Sequence, residues 1–109
     1  MTRLSYSVYG LATPLVRAGD DMAAHILAAA KRSECGGLQA GDIVVVAESA
    51  VATAEGRVAR LDDIEPSPEA LRLAEDYQMD PRLVEVVLRE SDRVVGGIPG
   101  FLLCMKNGT

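Results

Sequence analysis

Residues 94–109 read VVGGIPGFLLCMKNGT, and this stretch decides the fold class that the sequence predicts. Two apolar runs, residues 94–95 and 101–105, are joined by a segment that holds three glycines and one proline. Glycine and proline between apolar β-formers are typical of two strands connected by a turn. Because adjacent paired strands are a feature of mixed folds, the stretch favours α+β over a doubly wound α/β arrangement.

The end of the same stretch contains a second turn signal. Asn107-Gly108 is the strongest short indication of a two-residue hairpin turn, because both positions tolerate positive φ. Only Thr109 follows this pair. We therefore expect the C-terminal hairpin to be incomplete, and residues 101–105 to form an exposed apolar edge that favours self-association into a homo-oligomer.

Further along the chain towards the N-terminus, the apolar periodicity predicts three more strands and four helices. The strands are predicted at residues 4–9, 43–47 and 58–61, the last of them brief. Helices are predicted from Asp20-Asp21 to about Arg32, over residues 48–55, and from two Pro-containing starts at Ser67-Pro68 and Asp80-Pro81. The predicted fold is thus a mixed sheet with flanking helices in the order β-α-β-α-β-α-α-β-β.

Three of the helices have a predicted apolar stripe. The stripe residues are Met22, Ala23, Ile26, Leu27 and Ala30 in the first helix, Ala70, Leu73, Ala74 and Tyr77 in the third, and Leu83, Val84, Val87 and Leu88 in the fourth. On the fourth helix, Glu85 and Arg89 have the spacing of a favourable i,i+4 ion pair.

Composition and charge exclude several classes of function. The 109 residues suffice for one domain, and the net charge of −5 without a basic stripe argues against nucleic-acid binding. No secretion signal and no apolar stretch of membrane-spanning length is evident, which predicts a cytoplasmic protein without a membrane partner. Cys35 and Cys104 have no metal-like spacing, and we expect both to be free thiols.

The sequence provides few candidates for catalysis. His25 is the only histidine, and it is expected on the flank of the first helix with Arg32, where a surface role is more common than a catalytic one. Most of the acidic residues lie at predicted caps, turns and exposed helix faces. No spacing resembles a calcium loop or a zinc site, so no catalytic residue and no metal ligand is assigned.

One stretch, GDIVVVAESAVATAEGRVARL at residues 41–61, is a candidate for phosphate binding. A buried strand followed by small residues and hydroxyls is one way to bring backbone N–H groups close to a phosphate. The stretch lacks both the P-loop pattern and the G-x-G-x-x-G pattern. Tight packing of small residues beneath a strand is the alternative interpretation.

The ordered set of motifs resembles the coenzyme F420-0:γ-glutamyl ligase family, whose members extend the deazaflavin coenzyme of methanogens with glutamate. The resemblance covers nearly the whole chain, and no single motif decides it. The matching segments are Gly10-Leu11 with Pro14-Leu15, Gly19-Asp20-Asp21, Gly41-Asp42 with residues 43–46, Ala54-Glu55-Gly56-Arg57 with Leu61, and Val87-Leu88-Arg89-Glu90-Ser91.

The resemblance implies a GTP-dependent ligase that uses a divalent metal, Mg or Mn, and joins L-glutamate to a coenzyme F420-0-like carboxylate. It also implies nucleotide contacts at Gly10, Leu11, Thr13, Pro14, Ser49, Thr53 and Arg57. Arg57 could instead pair with an acid such as Glu55. The family holds its metals on later acidic residues, so the chain is expected to be the N-terminal portion of a longer protein, to bind neither ligand tightly and to be inactive alone.

Two positions depart from the family pattern. Family members commonly have lysines where this chain has Ser49 and Thr53, and a hydroxyl offers a hydrogen bond without the charge of lysine. A non-catalytic module that binds a nucleotide or deazaflavin, or that assembles with a partner, is therefore the alternative function. A domain that shares only its ancestry with the ligases is a third.

Overall fold

The computed structural model describes residues 3–109. Their contacts divide the chain into two compact units, Met1–Val58 and Ala59–Thr109. The elements are two helices in the first unit, followed in the second by a 3₁₀ turn, two helices and a two-stranded antiparallel sheet. The predicted mixed α+β class is therefore confirmed, whereas the predicted strand order is not observed among the described residues.

The first unit contains helix α1, Met22–Arg32, and helix α2, Glu48–Ala54. Asp21 caps α1, because its side chain accepts a hydrogen bond from the backbone N–H of Ala24 at 3.0 Å. Both helices occupy the residues that the sequence predicted. The predicted stripe of α1 was wrong in part, because Ala29 and Ala30 are its buried residues and Leu27 is half exposed.

Three predicted strands are missing from the described structure, at residues 4–9, 43–47 and 58–61. A strand needs a hydrogen-bonded neighbour as well as β-forming residues, and the one strand pairing among residues 3–109 lies in the second unit. Residues 43–46 nevertheless alternate in exposure, with Ile43 at 89% and Val45 at 91% against Val44 at 42% and Val46 at 37%. That period of two is the signature of extended backbone.

The second unit begins with a 3₁₀ turn, Leu61–Asp63, at the end of the segment where the brief strand was expected. Helix α3, Pro68–Tyr77, and helix α4, Pro81–Glu90, then start at the predicted prolines, capped by the side chains of Ser67 and Asp80. The small core of this unit consists of Ala70, Ala74 and Val84, with Leu73, Met79, Leu88 and Leu102 packed against it. The α3 stripe is confirmed, but Leu83 of the predicted α4 stripe is exposed.

The sheet consists of β1, Arg93–Ile98, and β2, Phe101–Met105, paired antiparallel with a bulge between Val94 and Gly96. The Asn107-Gly108 turn is also formed: φ is 52° and 81° at these residues. Lys106 and Thr109 exchange two backbone hydrogen bonds of 2.8 and 3.0 Å across it. This is the geometry of a two-residue hairpin turn.

Candidate functional site

The residues that the sequence indicated as nucleotide contacts all lie in the first unit. Gly10, Thr13 and Pro14 are exposed in the loop before α1, and Leu11 is half-buried there. Ser49 and Thr53 lie one turn apart on α2, and Arg57 follows the end of that helix. The backbone N–H of Arg57 donates to the carbonyl oxygen of Ala52 at 2.8 Å, which fixes the backbone at that position.

Hydrogen bonds link both the 10–14 loop and the end of α2 to residues in or next to α1. A guanidinium N–H of Arg32 donates to the carbonyl oxygen of Ala12 at 3.4 Å, which holds the 10–14 loop. The backbone N–H of Gly19 donates to the carbonyl oxygen of Ala54 at 2.8 Å, which holds the end of α2. Within residues 3–109, no hydrogen bond or ion pair joins the loop directly to Ser49 or Thr53.

The hydroxyl groups of α2 differ in what they can offer a ligand. The Thr53 hydroxyl donates to the carbonyl oxygen of Ser49 at 2.8 Å, so its proton is already used inside the helix. The side chain of Ser49 is exposed at the start of the helix, beside Glu48. Because the carboxylate of Glu48 lies in the first turn, it opposes the attraction that a helix N-terminus has for anions.

An Asp-His pair at the start of α1 is the feature that sequence reasoning missed. The Oδ2 atom of Asp20 lies 3.1 Å from Nε2 of His25, and both side chains are about a quarter exposed. The same Asp20 oxygen accepts a hydrogen bond from the backbone N–H of Arg17 at 2.8 Å. That backbone hydrogen bond and then the one with His25 lower the pKa of Asp20.

The sequence contained an indication of this pair, because Asp20 precedes His25 by five residues. His25 is therefore not a simple surface residue, because Asp20 fixes the orientation of its ring. The pair lies beside Gly19, whose backbone N–H donates to the carbonyl oxygen of Ala54 at the end of α2.

A resident metal centre does not fit the part of the chain that is described. Residues 3–109 contain no group of three or more His, Cys, Asp and Glu side chains that could hold a metal ion. Both cysteines are free, as predicted. None of the helices in this range has the length and apolar character that a membrane crossing requires.

Comparison with known proteins gives one family. The model of the family described as F420-0:Gamma-glutamyl ligase matches residues 10–109. Relatives named coenzyme F420:L-glutamate ligase include the protein of Methanopyrus kandleri, 43% identical over 93 residues, and that of Methanothermobacter thermautotrophicus, 49% identical over 84 residues. The protein of Archaeoglobus fulgidus is 33% identical over 103 residues.

These matches cover most of this chain and a minor part of each relative. They include 85%, 75% and 94% of the chain, but 34%, 32% and 38% of the respective relatives. The chain thus spans about a third of the length of the curated relatives it matches.

Proposed function

Because the chain belongs to the F420-0:γ-glutamyl ligase family, we propose that it contributes the nucleotide-binding part of a cytoplasmic enzyme that joins L-glutamate to a coenzyme F420-type substrate. The observation that carries the proposal is the family match, which extends from residue 10 to residue 109. The net charge of −5 is consistent with a small-molecule substrate and against a nucleic-acid partner.

The proposed reaction forms an amide in two transfers. A carboxylate oxygen of the acceptor attacks the γ-phosphorus of GTP, which gives an acyl phosphate and releases GDP. The amine of L-glutamate then attacks the acyl carbon, phosphate leaves, and the amine loses a proton. A divalent metal would supply charge neutralisation for the phosphates, but residues 3–109 provide no ligand set for it, so no step is assigned to a metal here.

Within this chain, we assign nucleotide positioning to the 10–14 loop, Ser49 and Arg57. The loop offers exposed backbone groups, and Arg32 holds it in place through the carbonyl of Ala12. Ser49 has an exposed hydroxyl on the same helix face as Thr53. The hydroxyl group of Thr53 donates to the carbonyl oxygen of Ser49, so Thr53 contributes to this face through a hydrogen bond within the helix.

Calorimetric titration with GTP, with and without Mg²⁺, tests this assignment. Ser49→Lys should tighten GTP binding, because an ammonium group at this position meets phosphate as a point charge. Val51→Lys is the matched control, since it adds the same charge on another face of α2. Equal effects of the two lysines, or no heat with Ser49→Lys, would count against a nucleotide at Ser49.

A non-catalytic module that binds a nucleotide or deazaflavin, or that assembles with a partner, is the second candidate. It is favoured by Ser49 and Thr53, which stand where family members commonly have lysines, and by the Thr53 hydroxyl, which is already engaged. The two candidates share one expectation for turnover by this chain alone. Addition of GTP and L-glutamate to the 109-residue chain with a coenzyme F420-0 acceptor should give no product on either proposal, so product formation would exclude the second candidate.

We also propose a strand at residues 43–46. The alternating exposure of residues 43–46 supports this strand. Its backbone hydrogen bonds to another strand form only when the edge of that second strand lies beside it. Hydrogen exchange of these four amides checks it: they should exchange rapidly in a monomer and become protected on association. Protection in a strictly monomeric sample would contradict the assignment.

A further inference from the structure

A cleft in the second unit is not explained by the proposed function. It has a volume of about 420 Å³, which lies within the range of small-molecule sites. The cleft is formed by α3, the end of α4 and the beginning of β1. Its lining includes Arg72, Tyr77, Leu88 and Arg93.

The arginines of this unit differ in whether their side chains form ion pairs. Three of the five, Arg60, Arg82 and Arg89, form ion pairs with neighbouring acids. The other two, Arg72 and Arg93, form no hydrogen bond or ion pair through their side chains within residues 3–109, and both line the cleft. Two guanidinium groups at one cleft, each with all of its side-chain donors available, are suited to a carboxylate.

The cleft also contains negative charge. Asp92 is partly committed, because its Oδ2 atom accepts a hydrogen bond from the backbone N–H of Asn107 at 2.8 Å. Glu69, in the first turn of α3, has no side-chain partner within the described residues. A purely anionic ligand would meet both of these acids, whereas a ligand that carries an ammonium group would offer a partner to Glu69.

Apolar groups complete the lining. Leu73 and Leu88 pack against the core of the unit and present their remaining surface to the cleft. The ring of Tyr77 lies against the backbone of Gly97, which fixes one wall. These groups are suited to an aliphatic body of a few carbon atoms.

We propose that this cleft binds a small zwitterion with an aliphatic body, that is, an α-amino acid with an apolar side chain. Its carboxylate is held by Arg72 and Arg93, its ammonium group by Glu69, and its side chain by Leu73, Leu88 and Tyr77. The proposal rests on residues of the second unit and uses none of those assigned to nucleotide positioning.

Titration of the ¹⁵N-labelled chain with L-leucine, followed by amide chemical shifts, tests the proposal. Saturable shifts are expected at the lining residues Ser91, Val94, Val95 and Gly96. Arg72→Gln and Arg93→Gln should each weaken binding roughly tenfold, the scale of a lost charge-assisted hydrogen bond. Arg60→Gln is the control, since Arg60 lies outside the lining and its side chain is 80% exposed.

Two analogues separate the charged groups of the ligand. 4-Methylpentanoate lacks the ammonium group of leucine, and 3-methylbutylamine lacks the carboxylate; both should bind more weakly than L-leucine. Glu69→Gln should weaken L-leucine but should not weaken 4-methylpentanoate, because it removes a negative charge that opposes an anion in the cleft. The proposal is overturned if L-leucine shifts none of the lining amides, if the two arginine variants bind it as the parent does, or if all three compounds bind equally. Well-dispersed amide spectra establish that each variant is folded.

Discussion

Glu85 of α4 accepts a hydrogen bond from the backbone N–H of Ser67, the residue that caps α3, over a distance of 2.9 Å. In a capping box, an acid at the third helical position makes this contact. That position here is Ala70, which cannot accept it. A side chain from the neighbouring helix therefore takes over a function that is usually local, and it links the two helices of the second unit.

Glu85→Ala should destabilise the second unit, because it leaves the Ser67 N–H without this acceptor. Arg89→Ala is the matched control: it removes the 3.0 Å ion pair of Arg89 with Glu85 but keeps the bond to Ser67. Urea unfolding should show a clearly larger loss for Glu85→Ala than for Arg89→Ala. Equal losses would mean that the ion pair, rather than the cap, is what matters.

Stability should decrease in acid, with Asp80 as a main contributor. Hydrogen bonds from the Arg82 side chain and backbone lower the pKa of Asp80 from 3.8 to about 2. Between these values the unfolded chain takes up a proton that the folded chain does not, so stability is fully present above the upper value and is lost as the pH falls. Glu85 acts in the same direction, since hydrogen bonding to Ser67 lowers its pKa.

Thermal unfolding as a function of pH measures this effect. Asp80→Asn should reduce the dependence of the midpoint on pH in the acid range, because asparagine still caps α4 but does not titrate. Arg82→Gln should reduce it too, since it removes the group that lowers the pKa of Asp80. A pH dependence unchanged in both variants would show that this pair does not contribute.

Gly97 of β1 should not tolerate a larger residue. A Cβ atom placed there would collide with the backbone oxygen of Phe101 and would approach Cε1 and Cδ1 of Tyr77 to 3.0 and 3.1 Å. Since backbone cannot move aside easily, Gly97→Ala should cost about 1–3 kcal/mol in the free energy of unfolding. Gly96→Ala is the control, because a Cβ atom there meets nothing within 4 Å.

Denaturant unfolding of the two alanine variants compares their free energies of unfolding. Gly96→Ala should be neutral or stabilising, since glycine in a strand costs about 0.5–1 kcal/mol relative to alanine. A loss in Gly96→Ala as large as that in Gly97→Ala would attribute both effects to the strand backbone rather than to contact with Tyr77 and Phe101.

The outer face of the hairpin should support self-association. Phe101 and Leu103 of β2 are 69% and 64% exposed, and Ile98, which is paired with Phe101, is 64% exposed. Leu102, on the opposite face, packs against the core. Light scattering at high concentration should show dimers or larger species, which Phe101→Glu with Leu103→Glu should convert to monomer.

Leu71→Glu provides the control for that experiment, because Leu71 is an exposed apolar residue of α3 outside the hairpin. Its self-association should match that of the parent. A parent chain that stays strictly monomeric at high concentration would contradict the prediction.

The starts of α1, α3 and α4 were determined by the sequence alone, because side-chain capping is a local interaction. Asp21, Ser67 and Asp80 each accept a hydrogen bond from a backbone N–H two or three residues ahead, so neighbouring residues suffice to define the start. The Asn107-Gly108 turn is local in the same sense, since it depends on positive φ at two adjacent positions. The family, too, was evident from the order of short motifs.

Only the tertiary structure decided which apolar residues are buried and which β-formers become strands. Residues 43–46 have strong β-forming character, but a ladder requires a partner that their own sequence does not specify. Leu27 and Leu83 fit a helical stripe and are nevertheless exposed, because burial depends on what another element places against them. The Asp20–His25 pair, the bond from Ser67 to Glu85 and the cleft with Arg72 and Arg93 likewise arise from side chains whose proximity the folded chain creates.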